Sequence, residues 1–122
     1  NRTHMVRIPD NGRFELRLAD GAVNPYLLQA AVVAAGLDGV KNKLLPSKKL
    51  DINMYEEGHK LKSVKKLPLN LLDALRLLKS SKVMRGYLGN EMIDGFCKLK
   101  EKEWDDYSTF LSDWERKATL DI

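Results

Sequence analysis

Charged and apolar residues alternate along two short stretches near the start of the chain, residues 3–8 and 13–18. An alternation with a period of two is typical of a strand that has one apolar and one polar face. The turn-forming sequence DNG lies between the two stretches, so the pattern predicts an antiparallel hairpin. We expect this hairpin to be part of a larger sheet, because two strands alone are only marginally stable in water.

The length of the turn decides which side chains share a face of the hairpin. A three-residue loop over 10–12 gives Gly12 the left-handed conformation and pairs Arg7 with Glu15. A two-residue turn would place Arg7 opposite Leu16 and mix charged with apolar residues. We therefore predict the three-residue loop. Its apolar face carries Val6, Ile8, Phe14, Leu16 and Leu18, and its polar face carries Arg7, Arg13, Glu15 and Arg17.

Helical patterns occupy much of the remaining chain. Asn24 followed by Pro25 is a favourable helix start, and residues 26–40 are apolar nearly all round, which predicts a buried helix. The lysine-rich stretch that follows, up to Leu67, is expected to be a loop. A further helix with several leucines is predicted to begin after Asn70, which is a suitable N-cap residue.

Two more helical segments complete the chain. A short piece, SKVMRGYLG, ends at Gly89, and Asn90 begins the longest segment, which we predict to run to about residue 117. The apolar residues of this segment recur every three to five positions along one stripe, as in an amphipathic helix. The pattern therefore predicts an α+β fold, with an N-terminal antiparallel hairpin over 1–18 and a mostly helical part over 24–122.

The composition narrows the class of protein. Apolar residues make up 43% of the chain and charged residues 31%, as in a soluble globular protein. No apolar run is long enough to span a bilayer and no signal-peptide pattern opens the chain, so we expect no membrane partner. The single cysteine, Cys97, excludes an internal disulfide and favours a reducing cytoplasm.

A lysine excess between residues 41 and 66 raises the question of nucleic-acid binding. This stretch has eight lysines against three acidic residues, and the net charge of the whole chain is +4. It contains no arginine, and Tyr55 is its only aromatic residue that could stack on a base. We therefore predict a solvated loop and no nucleic-acid partner.

The polar face of the hairpin carries the candidate chemistry. Its three cations are all arginines, whose planar guanidinium groups bind phosphate or carboxylate through two parallel hydrogen bonds. Its one acidic residue, Glu15, could hold Mg²⁺ or Mn²⁺ beside phosphate oxygens. The residues alone leave two interpretations open: solvent-exposed ion pairs across a sheet, or a site for a polyphosphate with a divalent metal.

Three motifs, which follow one another along the chain in the same order as in a known family, resemble that family. The stretches NRTHMVRIP, RFELRLADGAVNPYL and AAGLDGVKNKL, which span residues 1–44 with gaps, resemble the C-terminal part of the glutamine synthetase catalytic domain. The family's pattern there is an N-R-S/T start, an I/V-R-I/V-P strand, R-x-E-x-R, and a D-x-A-A-N-P-Y-L helix start. The tail, EKEWDDYSTFLSDWE, resembles the branch of that family that forms γ-glutamylamides.

The resemblance implies an ATP-dependent ligase that joins glutamate to ammonia through γ-glutamyl phosphate. It assigns Glu15 as a ligand of Mg²⁺ or Mn²⁺, and Arg7 and Arg13 as ligands of the ATP phosphates. Arg17 would bind the glutamate carboxylate and act in catalysis. Arg2 would also bind the ATP phosphates, at the transferred phosphoryl group, as well as glutamate, and would act in catalysis. The strand pattern puts Arg2 on the apolar side, so a bend or bulge near Thr3 is required.

The resemblance also implies that residues 1–122 are a C-terminal fragment of a catalytic domain, with an active-site hairpin over 1–18. The remaining metal ligands would then come from the preceding part and from a neighbouring subunit of a homo-oligomer, so we expect the fragment alone to be inactive. Two alternatives stay open: a ligase that joins glutamate to an alkylamine or polyamine, and a non-catalytic polyanion-binding module. Tyr55 sits where some bacterial members carry a regulatory tyrosine, but we expect a plain surface residue.

Overall fold

The computed structural model describes residues 5–61 and 66–119. Its N-terminal element is an antiparallel hairpin of strands β1 (Val6–Asp10) and β2 (Arg13–Leu16). Arg7 pairs with Glu15 and Val6 pairs with Leu16, which confirms the predicted register. The amide of Arg17 also donates to the carbonyl of Met5 at 2.8 Å, so the two strands stay in contact beyond Leu16.

The turn differs from the prediction. Asp10 belongs to β1 and pairs with Arg13, so only two residues form the tip. The extra residue lies instead in a β-bulge between Arg7 and Asp10, where Ile8 and Pro9 oppose one residue of β2. A bulge suits proline, which has no amide proton to donate to the ladder. The three-residue loop was therefore wrong, although Gly12 does have the expected positive φ, 77°.

Helix α1 (Pro25–Lys41) begins as the sequence predicts. The side chain of Asn24 accepts hydrogen bonds from the amides of Tyr26 and Leu27, at 3.0 and 3.2 Å. The predicted burial is wrong, because Ala34 is its only buried residue. Within the part of the chain that the structure describes, nothing covers most of the apolar side chains of α1, and Tyr26 is 81% exposed.

The lysine-rich stretch is not loop throughout, as we had expected. It contains a short helix, α2 (Met54–Glu57), and a 3₁₀ turn, Gly58–Lys60. The side chain of Asn53 caps α2 by accepting a hydrogen bond from the amide of Tyr55 at 3.1 Å. An N-cap asparagine followed by acidic residues in the first turn is a helix-start signal, so the sequence did contain a local indication of this helix.

The chain divides into two compact units, residues 1–66 and 67–122. The second unit contains the helices α3 (Leu71–Ser80), α4 (Lys82–Leu88) and α5 (Asn90–Thr109). Their starts agree with the prediction, since Asn70 caps α3 and Gly89 ends α4 with a φ of 86°. A small core of Leu75, Ile93 and Cys97 joins α3 to α5.

The predicted helix to residue 117 is interrupted. Helix α5 ends at Thr109, and α6 (Asp113–Thr119) follows after a short extended link. Ser112 and Glu115 form a capping box, in which the amide of Glu115 donates to the Ser112 hydroxyl and the Ser112 amide donates to the Glu115 carboxylate. The S-x-x-E spacing at 112–115 is the signal that marks this second helix start.

The α+β class that the sequence predicts is confirmed, since a two-stranded hairpin precedes six helices in the described residues. The hairpin presents one face rich in apolar side chains, most of them exposed: Val6 42%, Ile8 74%, Phe14 64% and Leu18 45%. None of the helices in the described ranges is sufficiently long and apolar to cross a membrane.

Candidate functional site

Three guanidinium groups surround the carboxylate of Glu15 on the hairpin. Nη1 of Arg7 donates to both carboxylate oxygens, at 3.4 and 3.3 Å. Nη2 of Arg17 donates to Oε2 at 3.2 Å, and Nη2 of Arg13 lies 3.6 Å from Oε1. The four residues that the sequence placed on one face of the hairpin thus form one cluster, which we call the arginine cluster: Arg7, Arg13, Glu15 and Arg17.

The backbone of the hairpin explains this arrangement. The strand register places Arg7 directly across from Glu15. Arg13 and Arg17 lie two residues before and after Glu15, and alternate residues of a strand point to the same side. The β-bulge lies between Arg7 and Asp10, beyond the pair formed by Arg7 and Glu15, so it leaves that pair in register.

The cluster runs from a partly covered end to an exposed end. The side chain of Arg17 is 26% exposed and that of Glu15 is 33% exposed, whereas those of Arg7 and Arg13 are 52% and 61% exposed. An approaching anion would therefore meet Arg7 and Arg13 first.

The charges of the cluster favour an anion. The hydrogen bond from Arg7, with a smaller contribution from Arg17, holds the pKa of Glu15 below its usual value, so Glu15 is ionised at neutral pH. Asp10 lies 3.4 Å from Arg13, a partner that the sequence reasoning missed. The three arginines carry three positive charges, and Asp10 and Glu15 carry two negative charges, so the net charge is +1. With Glu15 as the only acidic residue of the face, the net charge would be +2.

The carboxylate of Glu15 is a suitable type of ligand for a divalent cation, but one carboxylate is too few to hold the cation. A carboxylate is the ligand that Mg²⁺ prefers, and Mg²⁺ takes six oxygen ligands, several of them from water or phosphate. No group of three or more His, Cys, Asp or Glu side chains that could hold a metal occurs among residues 5–61 and 66–119. The described residues therefore bring no further group of potential metal ligands to Glu15.

The remaining candidates lie apart from this cluster. Arg2 falls outside the described residues, so its predicted role stays a prediction. Tyr55 is 83% exposed on α2. Cys97 is fully buried in the helical core, where burial raises the pKa of its thiol, in agreement with a packing role.

The fold and the cluster define an α+β chain with three arginines around one carboxylate on a two-stranded hairpin. The chain belongs to the glutamine synthetase family: the family model "Glutamine synthetase, catalytic domain" matches residues 1–119. This confirms the resemblance that the motifs in the first part of the chain carry.

Individual relatives agree with this membership. The chain is 54% identical over 122 residues to glutamine synthetase of Rhizobium meliloti (strain 1021). It is 44% identical over 125 residues to glutamate–methylamine ligase of Methyloversatilis universalis. It also resembles the solved structure of a GmaS/ADP complex, with a TM-score of 0.92 and 55% identity. In each comparison all of this chain is covered, and it spans only 28% of the length of the other protein.

Proposed function

We propose that this chain is the C-terminal part of the catalytic domain of an ATP-dependent ligase that forms an amide from glutamate and ammonia. The observation that carries the proposal is the arginine cluster, in a chain of the glutamine synthetase family. In this proposal the active-site hairpin occupies residues 1–18 and the helical part occupies residues 24–122.

Each member of the cluster has a role in the proposal. Arg7 and Arg13, the two more exposed arginines, bind the ATP phosphates. Arg17 binds the carboxylate of glutamate, and Arg2 contacts both glutamate and the transferred phosphoryl group. Glu15 contributes one ligand to Mg²⁺ or Mn²⁺, which when bound neutralises charge on the phosphate oxygens.

The reaction divides into two steps. A γ-carboxylate oxygen of glutamate attacks the γ-phosphorus of ATP, so that ADP leaves and γ-glutamyl phosphate forms. Ammonia then attacks the acyl carbon, the bond to the phosphate oxygen breaks, and a proton is lost from nitrogen as phosphate leaves. In phosphoryl transfer the protein contributes mainly positioning and charge stabilisation, which fixed guanidinium groups provide.

An amine other than ammonia has specific support as the acceptor of the glutamyl group. The glutamate–methylamine ligase relative is 44% identical to this chain, between the 38% and 54% of two glutamine synthetases. An alkylamine such as methylamine, or a polyamine, is therefore the second candidate acceptor. Both candidates share the first step and differ only in the nucleophile of the second.

The chain alone lacks most of what this reaction needs. Glu15 is one metal ligand, so the rest of the site would come from the preceding part of a longer protein and from a neighbouring subunit. We therefore expect a cytoplasmic homo-oligomer in which the full-length protein is active, whereas the 122-residue chain by itself releases no phosphate from ATP.

Phosphate release by the full-length protein tests the proposal. With ATP, Mg²⁺ and glutamate, we expect release that depends on an added amine, and comparison of ammonia, methylamine and a polyamine identifies the acceptor. Glu15→Gln should abolish this activity, whereas Arg76→Gln, which removes an exposed arginine of α3 paired with Asp73, should retain it. Anion binding that needs no divalent metal, without amine-dependent release, would instead support a non-catalytic polyanion-binding module.

A further inference from the structure

Asp10 lies on the same face of the hairpin as the arginine cluster because of the β-bulge. In a regular strand successive side chains point to opposite faces, so Asp10, three residues after Arg7, would share the apolar face with Ile8. The strands instead pair at Arg7 and next at Asp10, with two residues of β1 opposite one residue of β2 in between. This extra residue returns Asp10 to the polar face, where its Oδ2 lies 3.4 Å from Nη2 of Arg13.

The bulge therefore decides which residue faces Arg13. A bulge leaves one residue unpaired, and bulges occur next to active sites, where they re-aim a side chain. In this hairpin the re-aimed side chain is that of Asp10. A three-residue loop over 10–12 would place Asp10 in the turn instead of opposite Arg13, so the bulge brings a second carboxylate to this guanidinium.

One nitrogen of Arg13 lies between two carboxylates. Its Nη2 is 3.4 Å from Oδ2 of Asp10 and 3.6 Å from Oε1 of Glu15. The side chain of Arg13 is 61% exposed, so packing alone does not hold it in place. Nη2 carries two of the five N–H groups of a guanidinium. Two carboxylates on this one edge orient the plane of the group and leave the N–H groups of Nη1 and Nε for an anion.

We propose that Asp10 is a positioning residue that holds the guanidinium of Arg13 in the orientation that binds the ATP phosphates. The inference rests on the proposed function, in which Arg13 binds those phosphates, and it adds a residue to which the sequence motifs assign no role. In this proposal Asp10 does not touch the nucleotide. It orders a long, exposed side chain before the nucleotide arrives, which lowers the entropy cost of binding.

Positioning and plain electrostatics predict opposite effects at Asp10. A negative charge close to a phosphate site repels the phosphates, so its removal alone should tighten nucleotide binding. A positioning carboxylate assists binding through Arg13, so its removal should weaken nucleotide binding. The direction of the change therefore separates the two effects.

Steady-state kinetics of the full-length protein with Asp10→Asn tests the proposal. We expect the KM for ATP to rise about two- to fivefold, as for the loss of an exposed ion pair, and the KM for glutamate to stay unchanged. Asp106→Asn is the matched control, because it removes another exposed ion pair, to Lys102 at 3.0 Å, and should change neither KM. An unchanged or lower KM for ATP in Asp10→Asn overturns the proposal, as does an equal rise in both KM values.

A double-mutant cycle shows whether Asp10 acts through Arg13. Arg13→Gln alone should raise the KM for ATP. Adding Asp10→Asn to Arg13→Gln should then give no further rise, because no guanidinium is left to position. A further rise of the same factor as in the wild-type background would contradict the positioning role.

The two proposals fail in different ways. If wild type releases no phosphate that depends on an amine, the proposed function itself is wrong. If wild type does so, and Arg13→Gln raises the KM for ATP but Asp10→Asn does not, only the positioning role of Asp10 is wrong.

Discussion

The guanidinium of Arg7 reaches both carboxylate oxygens of Glu15 across the hairpin, at 3.4 and 3.3 Å. This relationship follows from the strand register, which pairs the two residues directly. It fixes the centre of the arginine cluster, because Arg13 begins the strand of Glu15, Arg17 follows directly after that strand, and both guanidiniums lie beside the same carboxylate.

The proposed roles, with Arg17 on glutamate and Arg13 on the ATP phosphates, predict different kinetic effects for these two arginines. In the full-length protein, Arg17→Lys should raise the KM for glutamate about tenfold or more, because lysine cannot reproduce the two parallel hydrogen bonds to a carboxylate. Arg13→Lys should raise the KM for ATP instead. Steady-state kinetics with each substrate varied in turn measures both effects, and Arg76→Lys serves as the control.

If Arg17→Lys and Arg13→Lys raise the two KM values to the same extent, the assignment of an inner and an outer ligand is wrong. Their different exposures, 26% for Arg17 and 61% for Arg13, would then carry no information about the ligands.

The small helical core predicts a contrast between two positions of α5. Ile93 is 1% exposed and packs among Leu75 and Cys97, whereas Leu99 is 61% exposed. Ile93→Ala should lower the free energy of unfolding by about 2–5 kcal/mol, because it removes buried methyl groups and leaves a cavity. Leu99→Ala should change it by less than about 0.5 kcal/mol. Urea unfolding followed by circular dichroism compares them, and similar losses would contradict the exposure of Leu99.

The ion pair between α4 and α5 predicts an acid-sensitive helical unit. Arg85 donates to Asp94 at 2.7 Å and holds the pKa of Asp94 below its usual value. Its contribution to stability is therefore fully present above the usual pKa of an aspartate, about 4. The contribution is lost as the pH falls through the lowered pKa of the folded state.

Asp94→Asn should accordingly be less stable than wild type at pH 7, and this difference should shrink as the pH falls below about 4. Thermal unfolding measured between pH 7 and pH 2 checks the convergence. Asp105→Asn is the control, because the Asp105 carboxylate makes no ion pair within the described parts of the chain. A difference at Asp94 that stays constant with pH would contradict the assignment.

The local features of the fold could largely be predicted from the sequence. The pairing of Arg7 with Glu15 follows from the alternation together with one extra residue near the turn, and the start of α1 follows from Asn24 and Pro25. Each depends on residues close together in the chain. The position of the extra hairpin residue could not be predicted in this way. A loop at 10–12 and a bulge at Ile8 and Pro9 both preserve the pairing farther along the strands, and the alternation cannot distinguish them.

Burial was less predictable than helix formation. Residues 26–40 read as a buried helix, yet Tyr26 and Val40 are 81% and 79% exposed in this chain. An apolar helix surface favours burial against another segment, but the hydrophobic pattern does not identify that segment. The break at Phe110 was missed for another reason, since the apolar stripe continues across it and only the capping box at 112–115 marks a new helix.

The most direct test of the account follows oxygen from glutamate to phosphate. The full-length protein is incubated with ATP, Mg²⁺, the preferred amine and glutamate labelled with ¹⁸O in its γ-carboxylate, and the released phosphate is analysed by mass spectrometry. Because a carboxylate oxygen becomes the bridge of γ-glutamyl phosphate and leaves with phosphorus, we expect one ¹⁸O in each phosphate formed. Amide formation with unlabelled phosphate, or phosphate release without an amide, would contradict the proposed ligase.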